Sequence, residues 1–342
     1  SYIHFNRSGG GNILGINGPQ VVNAVVNQTP LVNNVINPNF RTVDQGYPAG
    51  LTDPSQFNAS TSNISYIPRN FRTGYVQNWF FSIQREILPN TVFDIAYVGN
   101  RSNGIILFAD YNQARPQNPG ENSPLSVRRP IQGFAGITLT CPCGWSNYNA
   151  LQLKLERRFT AGLSFLNSFT WAKALDNVGQ ALEDQGAGNR SSPQNYYNLR
   201  DEKGASGYDQ RLNNTTAIVW DVPVGKGRKF GSDMSGVLDA IIGGWQFNAI
   251  NTATSGEPLN VLWNAPAANQ VSDIGPDWRG AISYRPNLIG TAKLTEAERA
   301  GTVRYLNRDA FTGTTPQQPF GNIRRNALHG PSFWQLDTNI QK

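Results

Sequence analysis

Two cysteines flanking a proline, two histidines and a concentration of carboxylates are the residues of this 342-residue chain whose types could do chemistry. Cys141-Pro142-Cys143 has the donor type of a thiolate metal site or a redox pair, but only His4 and His329 could complete a nitrogen-sulfur site, and they stand at opposite ends of the chain. A local disulfide or two inert thiols in an oxidising compartment is the favoured reading of the pair. Asp176, Glu183, Asp184, Asp201, Glu202 and Asp209 gather in one stretch where calcium is conceivable. Their spacing does not follow D-x-[DN]-x-[DN]-G, which makes them solvated surface carboxylates. Gly225-Lys226-Gly227-Arg228-Lys229-Phe230-Gly231 has the glycines and cations of a phosphate loop without the spacing of GxGxxG or GxxxxGK[ST]. It follows Val222-Pro223 with no helix pattern after it, and reads as a basic turn between strands. With no HExxH, no GxSxG and no histidine-paired nucleophile, no catalytic chemistry and no cofactor is expected.

The chain that would position these residues is rich in loops. Only 15% of residues are charged, while 38 Asn, 34 Gly and 21 Pro favour turns over regular elements. The net charge of +6 is scattered and contains no run of five like charges, so nucleic acid is not an expected partner. The longest apolar run, Ile105 to Ala109, is five residues, against the roughly 20 that a spanning helix needs. The chain begins at Ser1 and its one methionine is Met234, as in a processed chain or a fragment.

Residues 1–70 read as an irregular Asn-, Gly- and Pro-rich segment with short strands. Asn39-Phe40-Arg41-Thr42 echoes Asn70-Phe71-Arg72-Thr73 within it, too weakly to support a repeat architecture. From residue 71 to 342 the pattern becomes one of strands and long loops. Tyr75, Gln77, Trp79, Phe81, Ile83 and Ile87 alternate with Asn78, Ser82, Gln84 and Glu86; after a turn at 88–90, Phe93, Ile95 and Tyr97 alternate with Asp94 and Ala96. Leu151, Leu153 and Leu155 alternate with Gln152, Lys154 and Glu156. Beyond a turn at 160–162, Leu163, Phe165, Phe169 and Trp171 form one continuous apolar face against Ser164, Ser168 and Thr170. Three further strands follow, containing Trp220 against Asp221, Trp245 against Gln246, and Trp334 against Gln335. Long loops are expected at about 110–146, 176–209 and 264–282, the first holding the C-P-C pair.

Strands of 9 to 13 residues exceed the usual 5 or 6 of a soluble sandwich. Apolar on one face, polar on the other, joined by short turns at one end and long loops at the other, they have the form of membrane-spanning barrel strands. The fold class is therefore all-β, an antiparallel transmembrane β-barrel segment. A mean hydropathy of −0.43 is compatible with this, because half of each strand and all of each loop is polar. Phe165 and Trp171 are separated by about 15 Å along a membrane normal at ordinary strand rise and tilt. Trp79, Phe81, Tyr97, Phe159, Phe165, Trp171, Trp220, Trp245 and Trp334 are the expected lipid-face or membrane-interface aromatics. Asp94, Gln152, Lys154, Glu156, Asp221 and Gln246 are the expected lumen-facing residues. Arg85, Arg157, Arg158, Lys226, Arg228 and Lys229 lie near the short turns, where basic side chains reach headgroups or simply solvent.

Several segments resemble the TonB-dependent outer-membrane receptors of the Oar-like type, which carry a carboxypeptidase-regulatory-like N-terminal domain. They are Tyr75-Val76-Gln77-Asn78-Trp79 running into Ser82-Ile83-Gln84-Arg85-Glu86, Ala96-Tyr97-Val98-Gly99-Asn100-Arg101, Ser146-Asn147-Tyr148-Asn149-Ala150-Leu151-Gln152, Phe169-Thr170-Trp171-Ala172-Lys173-Ala174-Leu175-Asp176-Asn177 and Gly243-Gly244-Trp245-Gln246. Asn326-Ala327-Leu328-His329-Gly330-Pro331 before a last strand resembles the family's C-terminus. The resemblance implies the C-terminal part of a 22-stranded barrel in a Gram-negative outer membrane, taking up a solute that the pattern does not identify. It also implies as partners outer-membrane lipid, a plug domain with the N-terminal part of a parent chain, and TonB through that plug. The alternative is a processed β-rich surface protein with a structural or assembly role. A secreted glycan-binding module is weaker, because the lipid-like alternation recurs in at least five strands.

Overall fold

The structure is a computed structural model and describes residues 64–178, 192–275 and 281–342, together with 2–5, 31–32, 35–36, 43–45, 55, 58 and 60. Most of the expected irregular segment 1–70, including Asn39 to Thr42 of the echo, lies outside the described residues, as do Glu183 and Asp184.

One sheet organises the rest. Its main path contains β1 (Tyr2–Phe5), β2 (Gly74–Leu88), β3 (Thr91–Asp110), β4 (Ile137–Thr160), β5 (Leu163–Asp176), β6 (Leu212–Asp221), β7 (Gln246–Thr254) and β8 (Phe333–Gln341), each hydrogen-bonded to the next in antiparallel register. A short strand, Ile64–Tyr66, lies parallel to the start of β4. Among the described residues the path is open, with β1 and β8 at its two ends.

The connections alternate in kind. At one end β2 turns into β3 through Pro89-Asn90 and β4 into β5 through Ala161-Gly162, so both expected three-residue turns shorten to two. Ala161 and Gly162 have φ of 50° and 78°, the left-handed pair that matches a hairpin turn to strand twist. Asn90, with φ 61°, donates its backbone N–H to Glu86 Oε1 at 2.8 Å. The β6–β7 connection lies at this end as well, since Asp221 N–H donates to Gly162 O at 2.7 Å. At the other end are the segments between β3 and β4, between β5 and β6, and between β7 and β8.

Three expectations change here. The first loop is shorter than 110–146, because β3 and β4 pair beyond Asn103 and Trp145 as far as Asp110 and Thr138. The C-P-C pair therefore lies in strand β4, and Cys141 and Cys143 form a disulfide. What prolongs these strands is a core of their own: Leu107, Ala109, Leu139, Cys141 and Val178 are buried together, with Ile105, Tyr111, Tyr196 and Leu199 packed on them. The third loop is longer than 264–282, since everything from Ser255 to Ser332 is one excursion between β7 and β8. The basic turn is followed by a helix after all, α1 (Gly236–Ile242), capped by the Ser235 hydroxyl accepting from Leu238 N–H at 3.4 Å.

Register decides which side chains share a face. Gln84, Asp94, Lys154, Ser168, Thr215, Thr252 and Gln335 form one cross-strand row through β2 to β8, all polar. On the opposite face Phe81, Tyr97, Leu151, Trp171 and Leu212 form a row, and Leu163, Trp220, Phe247 and Ile340 another. Gly99 opposes Trp79 on that face, and a Cβ at Gly99 would overlap the indole ring. The apolar face is nevertheless not continuous. Asn167 falls on it while Leu166 takes the polar face. Asn167 Nδ2 donates to Asn214 Oδ1 at 2.9 Å and to Thr216 Oγ1 at 2.8 Å, so these polar groups satisfy one another.

Candidate functional site

Six polar residues expected on one side of the sheet do share it. Asp94 opposes Lys154, Gln152 and Glu156 are two positions to either side of Lys154, and Asp221 opposes Gln246. Their chemistry is mutual: Lys154 Nζ lies 2.7 Å from Glu156 Oε2, and Gln246 Nε2 donates to Asp221 Oδ1 at 2.8 Å. Gln341 Nε2 extends the chain of bonds to Gln246 Oε1 at 2.6 Å, and Arg228 closes on Asp221 at 3.5 Å. These residues form a hydrogen-bonded polar network with charges of both signs, and Phe80 and Ile250 are exposed apolar residues on the same face.

The aromatics sort onto the other face in two bands. Trp79, Phe81, Tyr97, Trp171 and Trp334 stand toward the long-loop end, and Phe165 and Trp220 toward the short-turn end. Tyr97 donates its hydroxyl to Asn149 Oδ1 at 2.6 Å, an apolar ring with a satisfied polar tip. Phe159 lies in the irregular end of β4, and Trp245 just precedes β7, where its indole N–H donates to Ile241 O at 3.0 Å. Phe81, Trp171, Trp334 and Ile340 are all strongly exposed, so the apolar bands on either side of the Asn167 cluster are open surface. The eight steps from Leu163 to Trp171 climb about 26 Å along a strand, or about 20 Å along the normal at a 40° tilt, which approaches the apolar band of an outer-membrane barrel.

Over the long-loop end the three connections fold together into a cap. Glu202 and Arg285, with side chains 2% and 3% exposed, form a two-pronged ion pair at 2.8 and 2.9 Å. Arg285 Nε also donates to Ile323 O at 3.0 Å, and Glu202 accepts from Gln194 N–H at 3.0 Å. Arg325 pairs with buried Asp176, whose other oxygen accepts from Ser206 Oγ at 2.5 Å. Asp209 accepts from Ala174 N–H and Arg211 Nε, both at 2.6 Å. Three members of the acidic stretch are thus buried structural partners, a correction to their reading as solvated carboxylates. The loops supply the arginines, and nothing in the spacing of Arg285 or Arg325 reveals which carboxylate each will meet. Asp201 is different: it is exposed and accepts from Asn198 at 2.7 Å.

A second layer of the cap packs Ala114, Ala265, Val271 and Tyr284 against Leu125, Trp263, Ile282 and Phe320. Burial pushes the Tyr284 phenol up to about 12. Asn112 ties the first loop with Nδ2 donating to Ile131 O and Ala135 O at 3.0 Å each. Beside this layer lies a cavity of about 290 Å³ lined in part by Gln117, Ser123, Arg128 and Ala268. Arg128 is buried and donates to the carbonyls of Ser123, Arg115 and Gln270 at 3.2, 2.6 and 3.3 Å. Asp110, at the root of the cap, accepts from the backbone N–H groups of Asn112 at 2.9 Å and Ile137 at 3.1 Å. Burial outweighs the bonds from Ser272, Ile137 and Asn112 and, with Asp273 nearby, raises its carboxyl to about 6. Among the described residues no group of three or more His, Cys, Asp or Glu could hold a metal ion.

An antiparallel sheet with one polar and one apolar face, short turns at one end and a folded cap at the other, defines an outer-membrane β-barrel protein. The chain belongs to the outer membrane beta barrel domain family, whose model matches residues 2–342. The protein is located in the outer membrane, and its family is one of non-catalytic barrels. The solved outer membrane transporter YddB from Escherichia coli is similar at 11% identity and a TM-score of 0.35, over 66% of this chain and 24% of that one. The chain thus spans about a quarter of that transporter's length. No curated protein matches the sequence.

Two consequences are measurable. Arg285→Ala leaves Glu202 charged, buried and unpaired, and should cost about 3–5 kcal/mol of cap stability. Limited proteolysis should then cut within 192–211 while the strands resist; unchanged cleavage would contradict the role of this pair. The Asp110 carboxyl has a raised pKa, so folding favours its protonated form. Cap stability should therefore fall as pH rises from about the ordinary value of 3.8 to about 6 and level off above it. Urea unfolding across that window should show this slope, and Asp110→Asn should flatten it.

Proposed function

We propose that the protein is the C-terminal barrel portion of a TonB-dependent outer-membrane receptor of the Oar-like type, and that the parent molecule takes up a solute across the outer membrane. The observation that carries this reading is the all-polar row Gln84, Asp94, Lys154, Ser168, Thr215, Thr252 and Gln335, which has a banded apolar face on its other side. In a closed sheet the polar face lines a water-filled or plugged lumen, and the apolar face meets lipid. The nine named aromatics are then membrane-facing, and Asp94, Gln152, Lys154, Glu156, Asp221 and Gln246 contact the plug or the passing solute.

An open sheet edge cannot be left in hydrocarbon, so further strands of the parent close β1 against β8. The folded cap faces the outside, where it is the first surface a solute meets. A structural or assembly role is the second reading, favoured by the tight internal pairing of the cap: Glu202, Asp176 and Asp209 are spent on arginines of the same chain.

Intact-mass and peptide-mapping analysis of protein extracted from outer membranes with detergent separates the two. The receptor reading expects a chain much heavier than 37.6 kDa carrying a plug sequence, and crosslinks from that plug to TonB. A homogeneous species near 37.6 kDa would contradict it and favour assembly.

A further inference from the structure

The connection between β6 and β7 is larger than a barrel turn needs, and its surface has a composition that the uptake reading does not use. Val237, Leu238, Ile241 and Ile242 of α1 recur at the i, i+1, i+4, i+5 spacing that gathers side chains on one helix face. All four are exposed, Val237 at 76% and Ile241 at 61%, and Phe230 in the basic turn of the same connection is exposed too. The other side of the helix is fixed in place. Asp239 Oδ1 accepts from Lys226 N–H at 2.7 Å, which joins the helix to the basic turn. Trp245 Nε1 donates to Ile241 O at 3.0 Å, and Lys342 Nζ donates to the carbonyls of Asp239 and Ala240 while lying 5.3 Å over the Trp245 ring. An apolar helix face held outward by four such ties is a built surface.

Its position identifies what covers it. Trp245 and Lys342 continue β7 and β8 at the parity of Phe247 and Ile340, the apolar face of the sheet. The helix is therefore tied to the lipid side, directly beyond the lower aromatic band formed by Trp220 and Phe247. Lys226, Arg228 and Lys229 are exposed on the turn that Asp239 ties to the helix, Arg228 reaching Asp221 at 3.5 Å, and Arg158 and Phe159 are exposed at the neighbouring hairpin. Exposed apolar residues tied to the end of the apolar sheet face, with exposed cations on the same connection, match the acyl chains and phosphates of a phospholipid monolayer.

Resting on the reading of the apolar face as lipid-facing, we propose that residues 222–245 form an interfacial anchor for the periplasmic leaflet. Val237, Leu238, Ile241, Ile242 and Phe230 enter the boundary between acyl chains and headgroups, and Lys226 and Lys229 bind the phosphates of anionic phospholipid. The partner is a lipid surface, not a periplasmic protein, because the helix is tied through Trp245 and Lys342 to the end of the apolar sheet face.

The test uses single cysteines with an environment-sensitive thiol label on the intact protein in phosphatidylethanolamine vesicles, with and without phosphatidylglycerol. The native cysteines, joined as a disulfide, leave one free thiol in each variant. Ile241→Cys should be quenched by nitroxide lipid labelled near the headgroup and shielded from aqueous iodide, and phosphatidylglycerol should deepen the quenching at least twofold. Adding Lys226→Gln and Lys229→Gln should abolish that increment. Leu153→Cys, on the apolar strand face, reports the underlying reading and the fold of each variant through quenching by nitroxide deep in the chains. If Leu153→Cys is lipid-quenched while Ile241→Cys stays open to iodide, the anchor is refuted and the barrel stands. If Leu153→Cys is itself not quenched, the lipid-face reading fails. Shielding of Ile241→Cys in native membranes but not in vesicles would assign the surface to a protein and overturn the proposal.

Discussion

Backbone pairing in a sheet whose two faces meet different surroundings is the constraint on which everything else in this protein depends. A strand in hydrocarbon has no water to satisfy its N–H and C=O groups, so it must be paired on both sides. Once paired, the two-residue period of the strand assigns every side chain to one face or the other, and a register slip of one residue would exchange the two. The two-residue turns at Pro89-Asn90 and Ala161-Gly162 pin that register locally. The pairing of Asp94 with Lys154, Lys154 with Ser168, Ser168 with Thr215 and Thr215 with Thr252 carries it across the sheet.

The cap obeys a different rule. Its loops are long, polar and poor in aliphatic residues, and they cannot be held by a large apolar core. They are held by charge and amide networks around two small apolar clusters. Glu202 with Arg285 and Asp176 with Arg325 each join segments distant in sequence, and Gln194, whose Nε2 donates to Gly321 O at 3.0 Å, joins the same pair of loops. Such pairs add little net stability over apolar packing but are costly to break, so they select one arrangement of the loops over its competitors. The abundance of Asn and Gln has the same use, since an amide both donates and accepts, and can replace the backbone partners that a loop lacks.

This difference explains what was legible in the sequence. Strand alternation is a local signal, so β2 to β5 and the sidedness of Lys154 and Trp171 could be read from neighbours two residues apart. Asn167 was missed because its partners, Asn214 and Thr216, are on another strand and make a polar residue tolerable on an apolar face. The start of β4 reads as loop because Cys141-Pro142-Cys143 and the glycines around it lack strand alternation; tertiary packing of Leu107, Leu139 and Cys141 overrides that. The helix Gly236–Ile242 has no legible pattern because the six residues between Gly236 and Gly243 give too short a period to recognise. The ion pairs Glu202–Arg285 and Asp176–Arg325, whose members stand far apart in the chain, have no local signal.

The central claim is that the sheet separates lipid from lumen residue by residue. Cysteine scanning of 151–156 in the membrane-embedded protein tests it directly. Water-soluble maleimide should label positions 152, 154 and 156, and lipid-borne nitroxide should quench a probe at 151, 153 and 155, with strict alternation. Equal access of both reagents to all six positions would contradict the account, because it would mean that neither face of the sheet meets a membrane.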